Sequence, residues 1–417
     1  MTWRPKFVVC LSYYDRLRFR SDAFAALVLA LQVFPLAIAI AIATGVHPLY
    51  GISCAVAAGL LASALGDSKV RVTGPSVVFV AVGSSIVARE GILALSLSTL
   101  LAGALLVFFG ATGLGVGIRM FPRPVVVGFS TGIAVLVVSQ QVPDLFGVSS
   151  AIDVHPVPRA VLTLVRYPGQ IAPLAIILAS ATLILITACR IVSRHFPAGL
   201  IAVTTGALLV KFGHFPVRTI ESLYGSDVIS FHLHPFEAFR FNLLADILAQ
   251  GFAIAVLAAI ASFEAMGLAA DVTGEGFNLN GELLVQGGVN VASAFVGGLP
   301  ASGVSSHTFE NARLGAQTPI AGMLQAVLLV VPMLLMAVLL RFIPLSVLSA
   351  LILSSVFSMM NWREILSLMK APRIEAAAWV VTSLFTIVTD LPTAIALGML
   401  IGIFLYIRNK PAIPSKA

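Results

Sequence analysis

Long apolar stretches constrain this chain more than any other feature of its sequence. Residues 23–43 are apolar except for Gln32 and Pro35, and residues 171–189 form a second stretch of similar length. A helix needs about 20 such residues to cross a bilayer. Only 10% of the 417 residues are charged, and the mean hydropathy is +1.03. We therefore expect the chain to cross a lipid bilayer several times.

The apolar runs favour helices over a transmembrane β-barrel. Barrel strands are segments of about ten residues with alternating polarity, whereas these runs are apolar on every face. Because lipid offers the backbone no hydrogen-bond partners, helices are the remaining solution. We predict an all-α polytopic membrane protein with fourteen transmembrane segments. In chain order the segments span residues 22–43, 49–65, 76–88, 92–117, 124–141, 171–191, 197–212, 243–270, 283–296, 305–314, 319–342, 345–359, 374–389 and 392–407.

The two sets of seven segments share landmark residues at matching positions. Asp22 lies 53 residues before Pro75, Asp246 lies 54 residues before Pro300, and each proline comes just before a short segment. An odd number of crossings in each half means that the halves enter the membrane from opposite sides, which predicts a 7+7 inverted repeat. The predicted division is a cytoplasmic segment 1–21, a first repeat 22–212, an external linker 213–242, a second repeat 243–408 and a cytoplasmic tail 409–417.

The basic residues predict the topology. With both termini cytoplasmic and fourteen crossings, 18 of the 25 Lys and Arg residues lie inside and seven outside, Arg89 and Arg166 among the latter. This distribution follows the positive-inside rule. The first twenty residues lack the apolar core and cleavage site of a secretory signal. We expect a multi-pass protein of the plasma (inner) membrane, without the basic patch that nucleic-acid binding requires.

Two predicted segments, 76–88 and 305–314, are too short to cross the membrane alone. Each follows a stretch rich in Gly and Pro, at residues 70–75 and 295–303. Interrupted helices at matching positions of an inverted repeat indicate the binding site of a transporter. We expect half-helices that meet at the midplane, where their unpaired N–H groups and positive dipole ends suit an anion. Two proline kinks in ordinary spans are the alternative.

Four stretches of this sequence resemble the SulP family of sulfate permease-like anion transporters. They read PLAIAIAIATGVHPLYG at 35–51, TGPS at 73–76, NVASAFVGGLPASG at 290–303 and NARLGAQTPIAG at 311–322. The resemblance implies that segments 1–4 and 8–11 form a core domain, which moves against a gate domain of segments 5–7 and 12–14. It also implies a homodimer that carries small anions by secondary transport or, occasionally, by channel-like conduction.

Two features depart from the family pattern. Family members usually continue after the last helix into a cytoplasmic STAS domain, whereas only eleven residues follow Tyr406, so we expect no STAS domain here. Many bacterial relatives carry Arg at the position of His307. An imidazole is neutral or charged near pH 7 depending on its surroundings, which leaves the charge of the predicted site open.

The resemblance, matched residue by residue, implies a substrate pocket built from segments 1, 3 and 10. Its residues are Leu36, Ile40, Ser76, Val77, Ser305, Ser306 and His307. Hydroxyl and backbone N–H groups are hydrogen-bond donors that suit an oxyanion. The small residues before segment 10, such as Ala301 and Ser302, have a second interpretation, because small residues also let membrane helices pack closely.

Glu264 is the predicted coupling residue. It lies in the apolar run 254–270, where an ionisable group is costly and indicates function. The family usually carries an acid in segment 8, although an alignment shifted by two residues places Ser262 at that position. An apolar environment favours a protonated carboxyl that travels with the substrate, and a solvated acid at a helix end is the alternative. Gln32 either lines the same cavity or bonds a neighbouring helix.

We predict a secondary active transporter of small anions of the sulfate, bicarbonate or dicarboxylate type, with proton symport and an elevator-like movement. The alternatives are a passive anion channel, a sodium-coupled anion symporter and a nucleobase-type symporter of the same fold. The segments contain neither a nucleophile with its base nor a set of metal ligands. We therefore expect no enzyme activity, no metal and no cofactor.

Overall fold

The computed structural model describes residues 5–115, 122–149, 155–193, 196–225 and 244–408. The predicted tail 409–417 and residues 226–242 of the predicted linker lie outside this part. The first ten helices are α1 (Lys6–Leu11), α2 (Arg16–Thr44), α3 (Pro48–Leu65), α4 (Val80–Glu90), α5 (Ile92–Thr112), α6 (Arg123–Leu145), α7 (Pro156–Arg166), α8 (Pro173–Val192), α9 (Ala198–Gly213) and α10 (Ile220–Tyr224). The remaining helices are α11 (Leu244–Thr273), α12 (Leu279–Val296), α13 (Ser305–Arg313), α14 (Ile320–Leu328), α15 (Val330–Leu340), α16 (Leu345–Met359), α17 (Trp362–Met369), α18 (Arg373–Val388) and α19 (Leu391–Arg408).

Seven helical spans within the described ranges are long and apolar enough to cross a membrane. They are α2, α3, α5, α6, α8, α11, and α14 together with α15. The pair α16 and α17, bent by 55° at the break between them, is an eighth candidate, and the apolar helices α9 and α19 are shorter. The prediction of an all-helical, multi-pass protein is confirmed, whereas the number of fourteen crossings stays a prediction.

α2 begins at Arg16, earlier than the predicted start at residue 22, because its polar first turns were invisible to an apolar pattern. Asp15 caps this earlier start with its side chain. Asp22 is fully buried inside the helix instead of opening it. Its carboxylate accepts hydrogen bonds from the backbone N–H groups of Gln317, at 2.7 Å, and Thr318, at 3.2 Å. Asp22 therefore ties the first predicted repeat to the chain just before α14.

Two short strands form where the sequence predicted interrupted helices. β1 (Thr73–Pro75) and β2 (Ala301–Gly303) pair antiparallel. β1 leads through a 3₁₀ turn (Val77–Phe79) into α4, which begins later than the predicted residue 76, and β2 leads directly into α13. Both strands are buried, and pairing satisfies backbone groups that an interrupted helix would otherwise leave unpaired inside the protein. The sequence predicted the interruptions but not the strands.

The helices pack as two groups. The core helices are α2–α5 and α11–α14, in which α12 packs against α5 and α3, and α14 packs against α2. The gate helices are α6, α8, α9, α16, α18 and α19, in which α6 packs against both α16 and α18. Between the groups, α2 contacts α9 and α16. The β1–β2 pair belongs to the core helices, so the starts of both short segments are held on the same body.

Candidate functional site

Buried polar side chains fix the backbone just before α13. The Asn290 amide binds Ala301 twice: its Oδ1 accepts from the Ala301 N–H, and its Nδ2 donates to the Ala301 carbonyl, both at 3.0 Å. Gln286 Nε2 donates to the same carbonyl at 2.7 Å. Ser262 Oγ accepts from the Gly303 N–H at 3.1 Å. All three side chains are fully buried, and their hydrogen bonds to the backbone of Ala301 and Gly303 hold β2 in place.

The two short segments begin in different ways. Ser76 caps the 3₁₀ turn before α4, because its hydroxyl accepts from a backbone N–H two residues further on, at 3.4 Å. Val304 occupies the N-cap position of α13 and provides no side-chain cap. The N–H groups of Ser305, Ser306 and His307 therefore lack an intrahelical acceptor. Together with the positive end of the α13 dipole, they offer donors to an anion.

A cavity of about 90 Å³, here called the inner cavity, lies at this start of α13 between core and gate helices. It has room for several waters or one small ion. The predicted site residues that line it are Leu36, Ile40, Ser76, Val77, Ser305, Ser306 and Glu264. Glu264 is the single ionisable side chain among the described residues of its wall. The wall is therefore built from apolar groups, hydroxyls and one carboxyl.

Glu264 and Ser262 lie on different faces of α11. Positions two residues apart in an α-helix are separated by about 200° around its axis, so these two side chains point to nearly opposite sides of α11. Ser262 is buried against β2, whereas Glu264 is exposed towards the cavity. Of the two residues that the alternative alignments place at the acidic position, Glu264 is the one beside the start of α13.

A larger cavity of about 1160 Å³, here called the vestibule, adjoins the inner cavity and shares part of its wall. The shared residues are Leu36, Ser130, Glu264, Ser305, Ser306, Ser355, Ser358 and Met359. Gln32 and His307 line the vestibule but not the inner cavity. Asp271, Arg313 and Arg363 border the vestibule at helix ends that the charge pattern predicts to be cytoplasmic. Gln32 and His307 therefore lie on the path to the inner cavity.

The gate helices form a wall of the inner cavity that the sequence analysis missed. The residues are Val126, Phe129, Ser130 and Ile133 of α6, with Ser355, Ser358 and Met359 of α16. Ser355 and Ser358 are three residues apart and hence share a face of α16. Hydroxyls at helical spacing inside an apolar segment were the available signal, but no motif distinguishes them from serines that bond the helix backbone.

Core and gate are joined at the end of the molecule opposite the vestibule. Gln140 on α6 donates a hydrogen bond to the Ser84 hydroxyl on α4 at 2.9 Å. The Tyr224 hydroxyl on α10 donates to the Val46 carbonyl at 2.8 Å, and its ring meets that of His47 edge-on at 5.4 Å. The Gln140–Ser84 bond joins core and gate at one end while the vestibule separates them at the other, and the Tyr224 contacts tie α10 to the chain after α2 at the joined end.

Comparison with known proteins decides the family. The sequence model described as the sulfate permease family matches residues 19–382 of this chain. The chain belongs to the sulfate permease family. It is an anion transporter and not an enzyme, as predicted. A relative from Bacillus subtilis, named "Putative sulfate transporter YvdB", is 29% identical over 400 residues, which cover 95% of this chain and 75% of the relative.

Solved structures share the fold of this sulfate permease family member. The transmembrane domain of a cyanobacterial bicarbonate transporter, BicA, aligns with a TM-score of 0.79 at 24% identity, covering 92% of this chain and 98% of that domain. The murine anion transporter Slc26a9 in its inward-facing state aligns with a TM-score of 0.84 at 15% identity, covering 98% of this chain and 71% of that chain. The protein therefore has the transmembrane-domain fold of these transporters.

Proposed function

We propose that this protein is a secondary active transporter of a small anion of the sulfate, bicarbonate or dicarboxylate type. The observation that carries the proposal is the uncapped start of α13 at the inner cavity, where the hydroxyls and N–H groups of Ser305 and Ser306 come together. Such donors replace the hydration shell of an oxyanion. The name "Putative sulfate transporter YvdB" and the description of BicA as a bicarbonate transporter support the same substrate class.

The other predicted pocket residues have distinct roles in this proposal. Leu36, Ile40 and Val77 form an apolar wall that excludes water and strengthens each polar contact to the anion. Ser76 presents a third hydroxyl, from the other short segment. His307 lies one residue beyond Ser306 at the mouth of the inner cavity, where the anion passes on its way in.

Glu264 is the proposed coupling group. An anion placed beside an ionised carboxylate in a water-poor cavity is repelled by several kcal/mol at short range. Protonation of Glu264 removes this repulsion, so the proton and the anion bind together and cross together. Gln32, on the vestibule wall, is the proposed polar partner on the proton path. Proton symport follows from this linkage between the two binding events.

The proposed transport cycle is an elevator-like movement of the core helices against the gate helices. The proposed architecture has fourteen membrane segments in two inverted repeats of seven, with the starts of α4 and α13 near the bilayer midplane. The protein is proposed to work as a homodimer in the plasma (inner) membrane, with both termini cytoplasmic. The packing of helices into two groups supports such a movement, because the uncapped start of α13 belongs to one group and the α6 and α16 walls to the other.

Uptake by purified protein in proteoliposomes tests the proposal. Labelled sulfate, bicarbonate, a dicarboxylate and a nucleobase are offered in turn, with proton and sodium gradients imposed separately. We expect an anion to accumulate against its gradient when protons are directed inward. Accumulation driven by sodium alone would make Glu264 part of a cation site. Equilibration without accumulation would identify a passive channel, and nucleobase uptake would contradict the anion assignment.

Glu264→Gln is the sharper test of coupling. The amide imitates the protonated carboxyl permanently, so we expect anion exchange to persist while accumulation driven by a pH gradient disappears. Glu375→Gln on α18, an acid that lines neither cavity, is the matched control and should behave as wild type. Full pH-driven accumulation by Glu264→Gln would show that Glu264 is only a solvated acid.

A further inference from the structure

Arg190 is a cation at the mouth of the inner cavity, and it comes from the gate side. It lies in the last turn of α8, and its side chain lines the vestibule together with Ser305, Ser306 and His307. Its Nη1 donates a hydrogen bond to Ser358 Oγ at 3.3 Å. Ser358 lines both cavities, so this bond holds the guanidinium at the boundary between them.

The other arginines near the vestibule are placed differently. Arg313 lies over the Phe309 ring, with its guanidinium carbon 5.1 Å from the ring centre. Arg123 is bound to the Glu364 carboxylate at 2.7 Å. Arg363, like Arg190, borders the vestibule and not the inner cavity, but the hydrogen bonds of the described residues do not join it to the inner cavity wall. Arg190, by contrast, donates its hydrogen bond to Ser358, a residue of the inner cavity wall.

Arg190 retains unused hydrogen-bonding capacity. Its one hydrogen-bond acceptor among the described residues is the neutral Ser358 hydroxyl, and none of the ion pairs there includes it. Glu310, on α13, is the acid that interacts with it electrostatically at longer range. A guanidinium carries five N–H donors arranged to bind carboxylates and other oxyanions. An anion at the start of α13 would provide a charged acceptor in direct hydrogen-bond contact with Arg190, in addition to the longer-range attraction of Glu310.

We propose that Arg190 is a specificity-determining residue that supplies the positive charge for the anion from the gate side. The inference rests on the proposed function, since it assigns a role within that same anion site. The core contributes donors without a formal charge, from the first turn of α13, and the gate contributes the cation. Anion affinity then depends on how closely the two bodies approach.

A charge in this position discriminates between anions by valence. The Coulomb attraction to a fixed cation is twice as large for a divalent anion as for a monovalent one at the same distance. The attraction to hydroxyl and N–H dipoles also grows with the charge of the anion, but a full positive charge at the same distance gives the larger energy difference between divalent and monovalent anions. Loss of Arg190 should therefore weaken the binding of divalent sulfate or oxalate more than the binding of monovalent bicarbonate or nitrate.

The test compares Arg190→Gln, Arg190→Met and Arg190→Lys with wild type in proteoliposomes. For the anion that wild type carries best, we expect KM to rise about tenfold in the two uncharged variants and to stay near wild type in Arg190→Lys. Inhibition of this uptake by divalent anions should weaken more than inhibition by monovalent ones. Arg373→Gln, an exposed arginine of α18 outside both cavities, is the matched control.

Each result has a defined meaning. An unchanged KM in Arg190→Gln or Arg190→Met, or an equal loss in all three variants, would overturn the role of the charge. Equal weakening of divalent and monovalent inhibitors would also overturn it. If Arg190→Gln is not monodisperse in detergent, Arg190→Met keeps the aliphatic stem and tests the same charge loss. Failure of wild type to carry any anion would instead contradict the proposed function itself.

Discussion

The side chain of the residue before a helix decides whether the first N–H groups of that helix are capped or remain available to a ligand. Ser76 accepts a hydrogen bond from the turn it precedes, whereas Val304 has no side-chain acceptor to give. The first-turn donors of Ser305 and Ser306 are therefore left for another partner. The two short segments, similar in sequence position, therefore differ chemically, and α13 leaves its first-turn N–H groups without a side-chain cap.

Ser306→Trp should abolish transport while leaving a folded protein. The side chain of Ser306 is exposed towards the cavities, so an indole fits there without displacing core residues but fills the space the anion needs. Transport is measured in proteoliposomes, and folding by size-exclusion chromatography in detergent. Ser12→Trp, at the exposed end of α1, is the control and should transport normally. Normal uptake by Ser306→Trp would remove the start of α13 from the substrate path.

The core half of the cavity wall was predictable from sequence, and the gate half was not. Ser305, Ser306 and Glu264 stand out because they are polar groups beside a Gly/Pro interruption or inside an apolar run. In the sequence, Arg190 is an ordinary basic residue at the predicted cytoplasmic end of a span, and it is one of the 18 Lys and Arg residues counted as inside. Its place beside the inner cavity depends on how α8 packs against α16, and sequence spacing contains no information about that contact.

At the scale of elements, the apolar stretches of the sequence predicted the central parts of the helices but not their ends. α6 continues to Leu145 and α12 begins at Leu279, both beyond the predicted apolar segments. Helices extend past the lipid wherever polar residues can face water, so hydropathy underestimates them. The same reason explains why the helices α1, α7 and α17 were missed. α7 and α17 are amphipathic: each has one polar face and one apolar face, and neither contains a continuous apolar run.

Close packing of α5 on α12 depends on facing glycines. A methyl group built at Gly287 would lie 2.7 Å from the Gly103 carbonyl oxygen and 2.6 Å from the Val107 side chain. A methyl group at Gly103 would lie 2.8 Å from the Gly287 carbonyl oxygen. Neither backbone can retreat without separating the helices. The absence of side chains at both positions allows the approach, as in many membrane helix pairs.

Gly287→Leu should lower the stability of the protein by about 1–3 kcal/mol or more, because overpacking forces the helix pair apart. The measurement is thermal unfolding in detergent, followed by tryptophan fluorescence. Gly288→Leu is a closely matched control, since no atom lies within 4 Å of a methyl group built at that neighbouring glycine. Equal destabilisation by the two substitutions would indicate a general cost of leucine in α12 and not a close contact with α5.

At the scale of the whole molecule, the structure combines a joined end with an open end. Gln140–Ser84 connects the two helix groups on one side, and the vestibule separates them on the other. The positive-inside rule assigns the open end to the cytoplasm, because Arg190, Arg313 and Arg363 lie around it. The orientation in the membrane stays a prediction from the charge pattern.

Cysteine labelling in intact cells tests this orientation directly. Arg89→Cys and Arg166→Cys should react with a membrane-impermeant maleimide from outside, because the charge count places both residues externally. Arg123→Cys and Lys370→Cys should react only after permeabilisation. All four side chains are exposed, so a lack of reaction reports the side of the membrane and not burial in the protein.

The labelling needs a background without reactive native thiols. The native cysteines are Cys10, Cys54 and Cys189, of which the first two are buried. A variant in which all three are replaced by alanine should give no signal before or after permeabilisation, and it should retain transport. Arg123→Cys breaks the ion pair with Glu364, so Lys370→Cys, which is in no ion pair among the described residues, is the decisive inner position. Labelling of Lys370→Cys from outside, with Arg89→Cys protected, would invert the topology and turn the vestibule towards the exterior.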